Sequence, residues 1–360
     1  MFKSSKTLII GGNFDDAEQK ASSVMYKLSE ALKSDIVNGG SLNDLEANAN
    51  DLKGYSLVLW APNITNDVEK IYPKKDTGTV LICTKVMREN RDFGDAVARV
   101  FKMNANAVIA IDNSEKPFKF TLIDALGNVW CDTSDLTELA AKIEDLYAWS
   151  SDSIRIKTTQ TVFSEEEIQK VDLERLCGVV KRIADKVENE RGGRYFGNVS
   201  TRCSKLFPTY RLGHDVILMS ARNVSKERIT PEDFVYTKLS ESKAQILYHK
   251  DVKPSVDTPI QLHLYDFFKN INFFIHGHAY IKDAAITQSY FPCGDMREYS
   301  EIISVLHPSS TTIVLNLVNH GFLIGASNLD ELSAMAETLE FNYRKIGQEK
   351  VKEKINYDKV

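Results

Sequence analysis

His276, Gly277 and His278 follow the apolar run Ile271–Ile275, which reads as a strand. Strand side chains alternate faces, so residues two apart project to the same side and can share one metal ion. Gly277 between the two histidines leaves the opposite face open to close packing. His320, in Leu317-Val318-Asn319-His320-Gly321, ends a second apolar run. Three neutral imidazoles around one ion, with an open fourth direction, form a catalytic rather than a structural zinc arrangement. A His-x-His pair alone is as readily structural or incidental, because histidine serves many roles. His214, His249, His263 and His307 read as surface or core residues.

A second group lies upstream, in Pro254-Ser255-Val256-Asp257-Thr258-Pro259. Pro259 suits a first helical turn, which leaves Asp257 or Thr258 at the cap. Asp257 then either caps that helix or stands beside the metal, able to take and return a proton. A helix start carrying Ser255 is also a ready anion site.

The elements that must position these groups exceed one core. The 360 residues predict two domains, at 1–150 and 160–345, with a charged tail at 346–360. Apolar residues at 43% and charged residues at 26% exclude a largely disordered chain. No apolar run approaches the roughly 20 residues that span a bilayer, and Met1–Lys6 lacks a signal-peptide core, so a cytoplasmic protein without a membrane partner is expected. A net charge of −5 with no basic stripe argues against nucleic acid. Cys83, Cys131, Cys177, Cys203 and Cys293 are scattered without a Cys-x-x-Cys pair, so they read as single buried thiols rather than a disulfide framework or thiolate zinc site.

The short apolar runs Thr7–Ile10, Ser56–Trp60, Thr79–Cys83 and Ala107–Ile111 alternate with helical patterns, the first at Asp16–Lys33. This predicts an α/β, Rossmann-like domain on a parallel sheet covered on both faces. A hairpin is expected within Phe118–Trp130 and a helix from Leu136 to Trp149, before the polar boundary Ser150–Thr161. Gly11-Gly12-Asn13 is a partial dinucleotide-type signal or a tight strand–helix turn. Ser164–Glu167 reads as a capping box, and a closing helix is expected from Leu329 to Lys345, capped by Asn328.

Residues 165–345 resemble the class II aldolase/adducin family, with motifs matching in order. Tyr195–Arg202 resembles its Gly-Asn-x-Ser-x-Arg loop, and Ile229-Thr230-Pro231-Glu232-Asp233 its x-Thr-x-Glu-Asp segment. Pro254–Pro259 is similar to its Pro-Ser-Ser-Asp/Glu motif, and the Asp-Thr-Pro form is nearer the ribulose-phosphate 4-epimerase branch than the fuculose-phosphate aldolase branch. His276-Gly277-His278 and Asn319-His320-Gly321 match its metal ligands. The resemblance implies an α/β/α domain, a homotetramer with sites at subunit interfaces, and a divalent metal, normally zinc. It implies an enzyme of carbohydrate metabolism: a metal-dependent lyase that makes or breaks a C–C bond in a sugar phosphate or related hydroxy-carbonyl compound. Asp257 would be the acid/base, and Asn198 with Ser255 would hold the anion.

Departures accompany the match. Val256 replaces the second serine, and Ala221-Arg222-Asn223 replaces a loop ending in Thr-Gly, where Arg222 serves as a clamp for the anion or faces solvent. The Thr287–Gly294 segment is short, and Tyr290 is its candidate catalytic residue or else a packed aromatic. The alternatives are a 4-epimerase using the same retro-aldol chemistry and a non-catalytic adducin-like interaction module. Lys74-Lys75, Leu81–Lys85, Ala96–Asp112 and Phe118–Val129 are fainter marks, similar to the phosphopantothenoylcysteine synthetase half of coenzyme A biosynthesis proteins.

Overall fold

A computed structural model describes residues 6–12, 23–39, 52, 54–62, 78–87, 93–153, 156–163, 173–203 and 216–351. Asn13, the start of the helical pattern at Asp16, Lys74-Lys75, the Ser164–Glu167 capping box and the end of the charged tail lie outside these residues. The chain divides into two units: residues up to Asp152 together with Lys345–Val351, and Ser153–Arg344. Among the described residues, no helix is long and apolar enough to cross a membrane.

In the first unit the strands are β1 (Thr7–Gly11), β2 (Asp35–Asn38), β3 (Leu57–Ala61), β4 (Val80–Val86), β5 (Ala107–Asp112), β6 (Lys119–Asp124) and β7 (Val129–Thr133). The helices are α1 (Ser23–Leu32), α2 (Phe93–Lys102) and α3 (Leu136–Ser151). They build one sheet in the order β2-β1-β3-β4-β5-β6-β7, parallel through β5 and antiparallel beyond it. β1, β3 and the first five residues of β4 are buried throughout, because helices cover both faces. Met25 and Leu28 of α1 and Leu139 and Ile143 of α3 pack one face, and Ala96, Val97 and Val100 of α2 pack the other. The parallel-sheet expectation therefore holds, with an antiparallel hairpin at one edge. Lys345–Val351 returns to this sheet: Val129 N–H donates to Glu349 O at 2.7 Å, and Val351 N–H donates to Val129 O at 2.9 Å.

The second unit starts inside the expected polar boundary, where β8 (Lys157–Gln160) forms an edge strand. Its polar composition suits an edge, where only one side of the ladder is paired. There follow α4 (Glu174–Ala184), the ribbon β9 (Glu190–Arg191) and β10 (Arg194–Tyr195), β11 (Asn198–Arg202), β12 (Ile217–Ser220), β13 (Phe234–Leu239) and β14 (Gln245–His249). The remainder comprises α5 (Thr258–Phe267), β15 (Phe273–Gly277), β16 (Ala279–Ile281), β17 (Ala285–Ile286), α6 (Met296–Val305), β18 (Thr312–Leu317), β19 (Gly321–Ala326), α7 (Leu329–Thr338) and β20 (Phe341–Tyr343).

The nine-stranded sheet runs β17-β18-β19-β15-β11-β12-β13-β14-β8. Alternation along β15 sends Phe273 and Ile275 into a core with α4 and α7, and Phe274 into one with α5 and α6. The unit is thus an α/β/α sandwich. Phe274 is fully buried, and its loss would cost about 3–5 kcal/mol. The closing helix differs from expectation: α7 is capped by Asn328 as read, but it ends at Thr338 and the chain becomes strand β20. Lys186 Nζ donates to the last-turn carbonyls of Ala336 and Glu337 at 2.8 and 3.0 Å, which satisfies groups a longer helix would use internally.

Candidate metal centre

His276 continues the Phe274 alternation, so its ring leaves the sheet on the α5/α6 side. His278 stands one residue past β15, half-buried, with its ring stacked on Phe196 at 5.0 Å between centroids and 21° between planes. His320 sits in the turn between β18 and β19, fully buried. Asn319 before it takes φ 56°, a left-handed conformation that asparagine tolerates better than most residues. One ligand nitrogen from each of the three imidazoles lies within 4.8 Å of the others. Gly277 is needed for the expected packing: a Cβ there would come 2.6 Å from the Phe322 ring.

Hydrogen bonds fix how the His276 and His320 rings present themselves. His276 Nδ1 is 2.8 Å from Phe322 O, and a carbonyl only accepts, so Nδ1 carries the proton and Nε2 keeps a bare lone pair. That Nε2 is buried without a hydrogen-bond partner. Burial, then the charge of His320, pushes the His276 pKa down to about 4, so the ring is neutral near pH 7. Burial and the neighbouring histidines likewise hold His278 well below its ordinary value. His320 Nδ1 is 2.5 Å from Glu298 Oε1. Burial pulls His320 down, but the Glu298 carboxylate and then Cys293 outweigh it and hold its pKa well above the ordinary value. A carboxylate on the far nitrogen of an imidazole orients the near nitrogen toward a metal and raises its basicity.

Asp257 sits at the cap position of α5, yet its side chain makes no capping bond. Oδ2 instead accepts from Asn198 Nδ2 at 2.9 Å and stands 3.9 Å from His276 Nε2, while Oδ1 is buried without a hydrogen-bond partner. The β11–β15 register places Asn198 directly opposite His276. Behind Asn198 a buried string continues: Gln261 Nε2 donates to Asn198 Oδ1, Ser200 Oγ donates to Gln261 Oε1, and Ser200 Oγ lies 2.9 Å from the Tyr265 hydroxyl. The amide of Asn198 is therefore committed to Asp257 and Gln261, whereas the sequence reading gave it to the substrate anion. Gly197 before it takes φ 69°, and a Cβ there would meet His276 O at 2.4 Å.

Two unpartnered buried acceptors, the His276 lone pair and Asp257 Oδ1, converge with two further imidazoles. Imidazole nitrogens beside a carboxylate are the donor chemistry of a divalent zinc-type ion, so these residues fit one.

The other sequence candidates fall as follows. Ser255 is half-buried, and its Oγ accepts from Asp257 N–H at 3.4 Å. Arg222 is exposed, with its backbone N–H on Lys253 O at 2.8 Å. Tyr290 is buried at 3% exposure, and the residue of its segment that stands against a histidine is Cys293, whose Sγ lies 3.4 Å from His320 Nε2. Sequence reasoning missed Glu298, Gln261 and Lys226. Lys226 is 6% exposed and lines a recess with Asn198, His276 and His278. Burial pulls its pKa down to about 8. The larger cavity of this unit, about 360 Å³ between Leu239, Lys243, Leu262 and Asp266, includes none of the three histidines.

Residues 179–345 match the Class II Aldolase and Adducin N-terminal domain family. No curated protein sequence matches the chain. Among solved structures, the chain is similar to an L-fuculose 1-phosphate aldolase at 16% identity and a TM-score of 0.36, covering 48% of this chain and 84% of that one. The N-terminal class II aldolase domain of a conserved protein from Thermoplasma acidophilum is 14% identical with a TM-score of 0.32, over 50% and 95% of the two chains. The DNA/pantothenate metabolism flavoprotein from Streptococcus pneumoniae is 13% identical with a TM-score of 0.31, over 40% and 100%.

Proposed function

We propose, from the premise that residues 179–345 form a class II aldolase and adducin domain, that this protein is a metal-dependent lyase acting on a sugar phosphate or related hydroxy-carbonyl compound. The observation that carries the reading is the convergence of three imidazoles, with the Asp257 carboxylate 3.9 Å from His276 Nε2. His276, His278 and His320 would hold a divalent ion, zinc by donor type. Such an ion, when bound, supplies the electrophile that offsets charge as an enediolate develops.

The chain's own residues do the remainder. Asp257 Oδ1 takes and returns the substrate proton, and Asn198 fixes the carboxylate for that task through Oδ2. Phe196 walls one side of His278. Lys226 brings a cation to the recess beside His276 and His278, which supports a role in attracting an anionic substrate. The family resemblance, with sites at subunit interfaces, supports a site completed by further copies of the chain, as in a homotetramer. The Asp257-Thr258-Pro259 sequence favours a second reading within the same chemistry, in which the cleaved fragment rotates before re-addition and the net reaction is 4-epimerisation.

Metal analysis of the purified protein and of a His276→Ala, His278→Ala variant tests the assignment. Stoichiometric zinc lost in the variant supports it, and absence of metal from both refutes it in favour of an interaction module. Product analysis with a panel of pentulose and deoxyhexulose phosphates separates cleavage from epimerisation.

A further inference from the structure

We propose that the cavity between the β13–β14 hairpin and α5 binds a small organic carboxylate with an apolar body, at a place separate from the metal centre. The cavity has a volume of about 360 Å³, and none of the three histidines lines it. Small-molecule sites usually span about 300–1,000 Å³ and combine an apolar lining with a few convergent polar groups. Here the apolar wall is formed by Ile217 of β12, Leu239 at the end of β13, and Leu262 and Tyr265 of α5. All four belong to, or pack against, the core that this face of the sheet makes with α5 and α6.

The polar groups gather at the rim. Lys243, in the turn between β13 and β14, and Lys269, just past α5, donate to Asp266 Oδ2 and Oδ1 at 2.8 Å each. Those two bonds, that of Lys243 first, hold the Asp266 pKa down to about 2, so its carboxylate is charged at any working pH. Lys238 and Glu241 complete the charged lining, so three ammonium groups stand against two carboxylates and one positive charge is in surplus. The Lys243 and Lys269 side chains are 58% and 69% exposed, which leaves them accessible to an entering ligand. Lys243 reaches its position through a left-handed backbone, φ 55°, closed by its N–H on Ser240 O at 2.8 Å. Glycine adopts that conformation freely and lysine does not, yet the turn places an ammonium there. A surplus of one charge suits a carboxylate. A phosphate monoester carries nearly two charges at pH 7 and would be repelled by Glu241 and Asp266.

The cavity is joined to the metal centre by side chains. The Tyr265 hydroxyl lies 2.9 Å from Ser200 Oγ, the first link of the string that runs through Gln261 and Asn198 to Asp257. Asp257 stands at the start of α5, and Leu262, Tyr265 and Asp266 of the same helix line the cavity. An occupant therefore packs on the element that carries the candidate acid/base, which suits an effector rather than a second substrate. The binding itself does not depend on the metal-site reading.

Calorimetric titration of octanoate into the full-length protein tests this, with octanol as the neutral control and inorganic phosphate as the more highly charged one. One octanoate should bind per chain, at least about tenfold more tightly than either control, as expected for hydrogen bonds to a charged group. Lys243→Glu reverses an exposed charge and Leu239→Trp fills the apolar space, and each should weaken binding by at least about tenfold with the fold intact by circular dichroism. His276→Ala, His278→Ala should leave octanoate binding unchanged, which separates this outcome from the metal assignment. Octanoate should also slow amide hydrogen exchange in the β13–β14 hairpin and in α5. Absence of binding, binding that octanol matches, or binding that Lys243→Glu leaves intact overturns the proposal. Loss of binding in the histidine variant, or protection confined to other segments, overturns it as well.

Discussion

Replacing Lys226 with methionine keeps the aliphatic stem and deletes a buried charge. The residue is 6% exposed, and the described partner of its ammonium group is the Val224 carbonyl, which it meets at 2.7 Å. Burial lowers its pKa from 10.5 to about 8. At about 1.4 kcal/mol per pH unit, holding that charge costs the folded state roughly 3 kcal/mol. Below pH 8 the lysine is protonated whether the chain is folded or not, and the cost is full. Between about 8 and 10.5 the folded chain sheds the proton while the unfolded chain keeps it. The unfolded state then binds more protons, and stability rises with pH. Lys226→Met should thus be the more stable protein at pH 7, by up to roughly 3 kcal/mol, and the gap should close as pH is raised toward 10.5. Urea unfolding of the metal-stripped proteins, followed by far-ultraviolet circular dichroism at pH 7 and pH 10, measures both. Trp60, Trp130 and Trp149 all belong to the first unit, so the fluorescence midpoint is an internal control that should not move. A stability difference independent of pH, or a variant weaker at pH 7, would refute the account of Lys226 as a strained cation kept for function.

Glu298→Gln keeps the shape but weakens the partner that orients His320, so zinc affinity measured by chelator competition should fall about 10–100-fold with the fold intact by circular dichroism. Asn198→Ala strands Asp257 Oδ2 and Gln261 Nε2 in a buried setting, and calorimetry should show a loss of about 1–3 kcal/mol together with a drop in turnover.

The histidine triad and Asp257 were legible because strand alternation and a proline-marked helix start are local rules. Such rules place His276 and His278 on one side and start α5 just after Asp257, and the structure has both features. Long-range partners escape them. Glu298 is a functional candidate only because a capped helix start meets the β18–β19 turn, and nothing in its immediate sequence announces that meeting. Asn198 shows the same gap: its motif suggested an anion contact, and the strand register turned its amide toward Asp257. β8 was hidden because an edge strand needs little apolar surface, and β20 because the group that satisfies the last carbonyls of α7, Lys186, lies about 150 residues upstream.

The pairing of Val129 with Glu349 and Val351 also bears on how this protein is made. The first unit is built from residues up to Asp152 and completed by Lys345–Val351, so Ser153–Arg344 is in effect an insertion within it. At roughly 5–20 residues per second, synthesis reaches the missing segment only about 10–40 s after Asp152 has been added. During that wait the backbone of Val129 must be satisfied by water or by a helper. A fragment ending at Asp152 would reproduce this provisional state permanently, and adding the seven-residue stretch back in trans would be the way to complete it.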